Sequence, residues 1–155
     1  MSYPALSTRV IGQAEKTLTA ILTRLLAGTG LTEPGWVVLT LAAGAGGTLD
    51  RDAFAAEVAR TLKIDEAAAH AHLDALATEG FLAPAAGLAA PQVTVTAAAR
   101  ELHGRIRATV GDITARLWGD LPPDDLAVAG RVLTIVTERA GTELARLSRG
   151  VAGPR

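Results

Sequence analysis

The side chains able to do acid–base or metal chemistry are few and scattered. Three histidines, His70, His72 and His103, stand in a chain of 155 residues that has no cysteine. His70 and His72 are two apart in a helical pattern, so they diverge by about 200° around the axis and cannot grip one metal ion together. His103 lies far along the chain. Without cysteine, thiolate catalysis, thiol redox sensing and cysteine-ligated metal centres are excluded. Gly44-Ala45-Gly46-Gly47 is glycine-rich but lacks the following Lys-Ser/Thr of a phosphate loop, and reads as a turn. No nucleophile elbow or hydrolase triad spacing is present. These residues argue against an enzyme, and for a chain with no metal and no cofactor.

The charges carry more information. Net charge is −1, from 15 Lys+Arg against 16 Asp+Glu, which gives no global sign of a nucleic-acid or membrane partner. Locally the balance is uneven. From Ile64 to Ala99 there is no lysine or arginine. Between Thr48 and Thr96 the bases are Arg51, Arg60 and Lys63; the acids are Asp50, Asp52, Glu57, Asp65, Glu66, Asp74 and Glu79. Three minus seven leaves −4. No apolar run reaches the roughly 18 residues of a membrane span, and the N-terminus lacks the apolar core of a signal peptide. The expectation is a cytoplasmic protein with no membrane partner.

The elements that must position these residues follow from periodicity. Leu6, Val10, Ala14, Leu18, Ile21, Leu22 and Leu25 predict a first helix over about Leu6 to Leu26. Thr32 caps a second, with Pro34 tolerated in its first turn and Gly44 to Gly47 ending it. Asp50 to Leu62 reads as a third, apolar at Phe54, Val58 and Leu62. A break at Lys63-Ile64 leads to a fourth, Asp65 to Glu79, with Leu73 and Leu76 inward and Gly80 as its exit. Phe81 to Ala83 and Gln92 to Val95 read as two short strands joined by a loop rich in Pro, Ala and Gly. Thr96 caps a fifth helix with the stripe Leu102, Ile106, Val110, Ile113 and Leu117. A sixth starts near Asp124, with Leu126, Ala129, Leu133, Val136, Ala140, Leu144 and Leu147, and a frayed tail is expected from Gly150.

Three phrases in this order resemble one family. Leu31-Thr32-Glu33-Pro34-Gly35-Trp36-Val37-Val38-Leu39 resembles the L-T-x-x-x-W-x-x-L start of the second helix in MarR-type regulators. Leu73-Asp74-Ala75-Leu76 through Gly80-Phe81-Leu82 resembles their V-D-x-L-x-x-x-G-L-V passage from recognition helix to wing. Val95-Thr96 through Leu102 resembles their L-T-x-x-G-x-x-L return. The resemblance implies a mainly α (α+β) fold in a single domain over 1–155. A winged helix-turn-helix DNA-binding lobe occupies about 32–96, and long terminal helices, about 5–27 and 97–149, form a dimerisation region. It further implies a homodimeric, non-enzymatic transcriptional regulator of double-stranded DNA whose affinity is relieved by a small aromatic or phenolic acid. The stripes on the first, fifth and sixth helices exceed what a small lobe covers, which agrees with a dimer.

At the DNA-reading positions the residues depart from the family. Where it places hydroxyls and an arginine at the start of the recognition helix, this chain has Ala67, Ala68, His70 and Ala71 behind the cap Asp65. Its wing tip, with Gly87 and Leu88 at the family's contact positions, carries no charge. Pro84 stands where the family often has arginine. Phosphate neutralisation by Lys and Arg drives most DNA affinity, so the remaining backbone-contact candidates are Arg51, Lys63 and His72, with helix amides near Asp65. The alternative is a degenerate winged-helix module that has lost ordinary DNA binding and acts on a protein or small ligand. By family position, a ligand pocket would be lined by Arg9, Gln13, Trp36, His103 and Arg107, an arginine beside an aromatic wall suiting a carboxylated ring. The competing reading makes Trp36 core and the arginines interface ion pairs.

Overall fold

The structure, a computed structural model, describes residues 4–85 and 91–151. The described elements are α1 (Thr8–Leu26), α2 (Glu33–Ala45), β1 (Thr48–Asp50), α3 (Arg51–Leu62), α4 (Glu66–Thr78), β2 (Leu82–Pro84), β3 (Gln92–Val95), α5 (Ala97–Trp118) and α6 (Pro123–Val151). The chain divides into two units, Met1–Gly111 and Asp112–Arg155, with the division inside α5.

Five helices of the first unit begin at a side-chain cap. Ser7, Thr32, Asp50, Asp65 and Thr96 accept from the amides of Val10, Gly35, Ala53, Ala68 and Ala99 respectively. Each such cap contributes about 1 kcal/mol by satisfying an amide the helix itself cannot. The breaks are equally local. Lys63 closes α3 in the left-handed region, φ 58°, and the amides of Lys63 and Ile64 both donate to the Ala59 carbonyl. Gly80, φ 75°, closes α4; its amide donates to Ala77 and that of Phe81 to Leu76. That paired geometry needs a left-handed residue, which glycine adopts without strain.

The core of this unit lies where α2, α3 and α4 converge. Val38, Leu39, Val58 and Leu73 are fully enclosed, with Phe54, Leu76, Leu82, Val95 and Ile106 around them. The predicted stripe of α5 divides accordingly: Ile106 is buried, Leu102 and Val110 pack at the margin, and Leu117 is exposed.

Two strand expectations need correction. The sheet has three antiparallel strands in the order β1-β3-β2, not two. β1 pairs Thr48 with Thr94, Leu49 with Val93 and Asp50 with Gln92. Three residues after a glycine turn show no alternation to read, and only β3 makes them a strand. The other strand runs Leu82–Pro84 rather than Phe81 to Ala83, because the Gly80 turn uses the Phe81 amide. Pro84 is tolerated because β2 is an edge strand. Helix boundaries otherwise agree to within two residues. The tail expected to fray lies mostly outside the described residues, although α6 reaches Val151.

In the second unit α6 runs for 29 residues. Its exposed large apolar residues include Leu126, Leu133, Val136, Leu144 and Leu147, which recur on one helical face.

Candidate nucleic-acid interface

α3, the Lys63-Ile64-Asp65 turn and α4 form a helix-turn-helix, and β2 and β3 rise beside it as a wing. Thr96 joins the two parts: its hydroxyl donates to the Gly80 carbonyl at 2.8 Å and its amide to Phe81 at 3.1 Å. The base of the wing is thereby fixed to the end of α4.

On α4, Ala67 and Ala71 are exposed, while Ala68 and His70 are half-buried. Asp65 is spent as the cap, accepting from Ala68 at 2.7 Å. His70 is the side chain among the five that can donate to a base edge, and its Nε2 lies 3.6 Å from Asp52 Oδ1 on α3. His72 turns elsewhere. It lines a groove of about 310 Å³ with Thr32 and Gly35 at the start of α2, Leu76 of α4 and Glu79 just after it.

The bases are unequal too. Arg51 opens α3, and its Nη2 donates to Asp74 Oδ1 on α4 at 2.6 Å. Its own amide donates to the Pro91 carbonyl at 2.9 Å. Arg60 and Lys63 are exposed and make no ion pair among the described residues. Sequence reasoning missed both carboxylate contacts of this head. Asp52 and Asp74 are 22 residues apart, and nothing in their spacing aligns them with His70 and Arg51.

A second cluster lies at α2 and α5. Trp36 and His103 stack with ring centroids 4.9 Å apart at 29°, and His103 Nε2 lies 3.2 Å from Thr40 Oγ1. His103 is buried. Burial, and then the positive Arg107 one turn on, hold its pKa below the ordinary 6.5, so the neutral ring is favoured.

This arrangement has solved counterparts. It is similar to a MarR family transcriptional regulator from Silicibacter pomeroyi, at 19% identity over 88% of this chain and 90% of that one, TM-score 0.70. It is similar to a MarR protein from Peptoclostridium difficile, at 15% identity over 95% and 97%, TM-score 0.72. The MarR-type winged-helix fold is therefore the fold of this chain. A third similar structure is an Escherichia coli MarR mutant complexed with operator DNA, 21% identical over 83% and 91%, TM-score 0.65. No protein-family model matches the sequence, and no curated protein does.

In the MarR-type frame, the expected reading positions Ala67, Ala68, His70 and Ala71 lie on the first half of α4, and Asp65 is its N-cap. Gly87 and Leu88 lie outside the described residues. Of the expected pocket residues, Trp36 and His103 stack, and Arg107 is exposed one turn beyond His103 on α5. Arg9 and Gln13 are exposed on α1, and among the described residues no hydrogen bond or ion pair joins them to that cluster. Thr40, the hydrogen-bond partner of His103, was not expected, because a threonine inside an apolar helix run looks like core.

Proposed function

We propose that this protein is a dimeric DNA-binding transcriptional regulator, non-enzymatic, with an acidic and donor-poor reading head. The observation that carries the reading is the capped α3–turn–α4 unit with its attached three-stranded wing, in the same MarR-type fold as a protein held on operator DNA. The apolar faces left open on α1 and α6, with Leu18, Leu133, Leu144 and Leu147 exposed, support a second copy as the partner. Two copies place two α4 helices against a palindromic site. A small aromatic or phenolic acid as effector is supported by the Trp36–His103 stack beside Arg107, and by similarity to BpsR of Bordetella bronchiseptica. The DNA binding of BpsR is regulated by 6-hydroxynicotinic acid (21% identity over 88% and 96%, TM-score 0.66).

The test is a salt titration on the protein's own upstream DNA. Each lobe has three Lys or Arg between Thr48 and Thr96, so a pair brings six. At about 0.9 per phosphate the lobes hold the slope of log affinity against log salt to about 5 in magnitude. With Arg51 engaged by Asp74 the expected slope is shallower still. A steeper slope with tight binding would remove the donor-poor reading. Adding 6-hydroxynicotinic acid or benzoate is expected to release the DNA, and unchanged binding would remove the effector.

A second reading follows from the −4 lobe and the carboxylates facing Arg51 and His70. In it the same fold acts as a protein- or ligand-binding module. Absence of binding to upstream DNA at about 50 mM salt, where phosphate contacts are strongest, favours this second reading.

A further inference from the structure

We propose that Arg51 is a phosphate-binding residue of the reading head that Asp74 holds in reserve, so that the carboxylate competes with DNA for the guanidinium. The inference rests on the DNA-binding reading; to its backbone-contact candidate Arg51 it adds Asp74 as the control. Arg51 is the residue at which the three parts of the head meet. Its backbone donates to Pro91, the residue before β3; it begins α3, where the helix dipole favours an anion; and its side chain crosses to α4. A group so placed is fixed in position relative to wing and recognition helix alike.

What it now holds is one carboxylate oxygen. The Nη2–Oδ1 distance is 2.6 Å, yet Asp74 is 71% exposed and Arg51 27%. An exposed pair of this kind is weak against water and salt, so a phosphate can replace Asp74 without unfolding anything. The neighbouring acids are otherwise occupied. Asp50 caps α3 through the Ala53 amide, and Asp52 faces His70. Among the described residues, Asp74 is the acid bonded to the Arg51 guanidinium. Nor does Asp74 hold the fold by another side-chain bond: the Thr78 hydroxyl donates to its backbone carbonyl, a contact that any residue keeps.

The test compares four proteins, wild type, Asp74→Asn, Glu57→Gln and Asp74→Asn with Arg51→Ala, by fluorescence anisotropy on a random-sequence duplex across salt. Glu57→Gln removes an equal charge from an exposed site that makes no ion pair among the described residues. Asp74→Asn is expected to tighten binding roughly tenfold more than Glu57→Gln does, the scale of one charge-assisted contact. Its salt slope should steepen by about 0.9 for each phosphate newly held. In the Arg51→Ala background that gain should vanish. A gain no larger than that of Glu57→Gln, or one that survives Arg51→Ala, overturns the proposal. Binding by wild type with no gain in Asp74→Asn sinks this inference and leaves the DNA-binding reading standing. Binding by Asp74→Asn alone upholds the inference and sinks that reading for the native chain. If none of the four binds at about 50 mM salt, both fail.

Discussion

At the scale of single residues, the chemistry that remains is concentrated in side chains whose neighbours constrain them. His103 is the clearest. Its depressed pKa means the folded chain holds the neutral imidazole, whereas the unfolded chain takes up a proton near the ordinary 6.5. Below that value the unfolded state binds more protons, so stability is complete above about 6.5 and declines as pH falls from there to the lowered folded value. His103→Phe keeps an aromatic face for Trp36 and removes the titration. Thermal melts across pH 5 to 7 should show a flatter profile for the variant, and an unchanged profile would mean that other groups set the acid sensitivity. Trp36, stacked on the same ring and packed against the core, serves the fold whether or not a ligand also touches it.

At the scale of elements, the helix-turn-helix is held by backbone chemistry more than by charge. Asp65 caps α4 and its loss should be felt. Asp65→Ala is expected to cost about 1 kcal/mol, which for a chain of this length lowers Tm by about 2–4 °C. Lys63 works in the opposite direction, since a left-handed non-glycine residue carries strain. Lys63→Gly should raise stability by about 0.5–1 kcal/mol while removing one of the two bases of the lobe that make no ion pair. A thermal melt of each variant decides both: equal Tm for Asp65→Ala would deny the cap its role, and a lower Tm for Lys63→Gly would show the side chain doing more than its backbone angle implies. These caps and breaks were legible in the sequence because each is chemistry within five residues. β1 was not, because its partner strand lies more than forty residues away.

At the scale of the whole molecule, the apolar residues sort into two sets. Those of α2, α3, α4 and the first half of α5 close over one core. Those of α6, with Leu126, Leu133, Leu144 and Leu147 each more than a third exposed, are not part of that core among the described residues. Pairing of two copies would bury them, at about 25 cal/mol for every Å² of apolar surface removed from water. Leu133→Asp together with Leu144→Asp should therefore convert a dimer to a monomer in sedimentation at micromolar concentration. A wild-type monomer under those conditions would refute the dimer. Distribution of charge belongs to this scale as well. The −4 of the lobe is offset by +3 elsewhere, from twelve bases and nine acids outside Thr48 to Thr96.

The sequence by itself determined the order of the six helices and of two of the three strands, the caps Thr32, Asp65 and Thr96, the Gly80 exit and the deficit of donors on α4, because each depends on residue type and short spacing. The three family-like phrases also sufficed to point to the MarR-type fold. Tertiary structure alone decided which charges meet. Arg51 and Asp74 are separated by 23 residues and His103 and Thr40 by 63, distances over which periodicity carries no information. Only the packing of α3 on α4 and of α5 beside α2 brings them together. For that reason the sequence could count the bases of the winged lobe, but could not tell that a carboxylate on α4 already holds one of them.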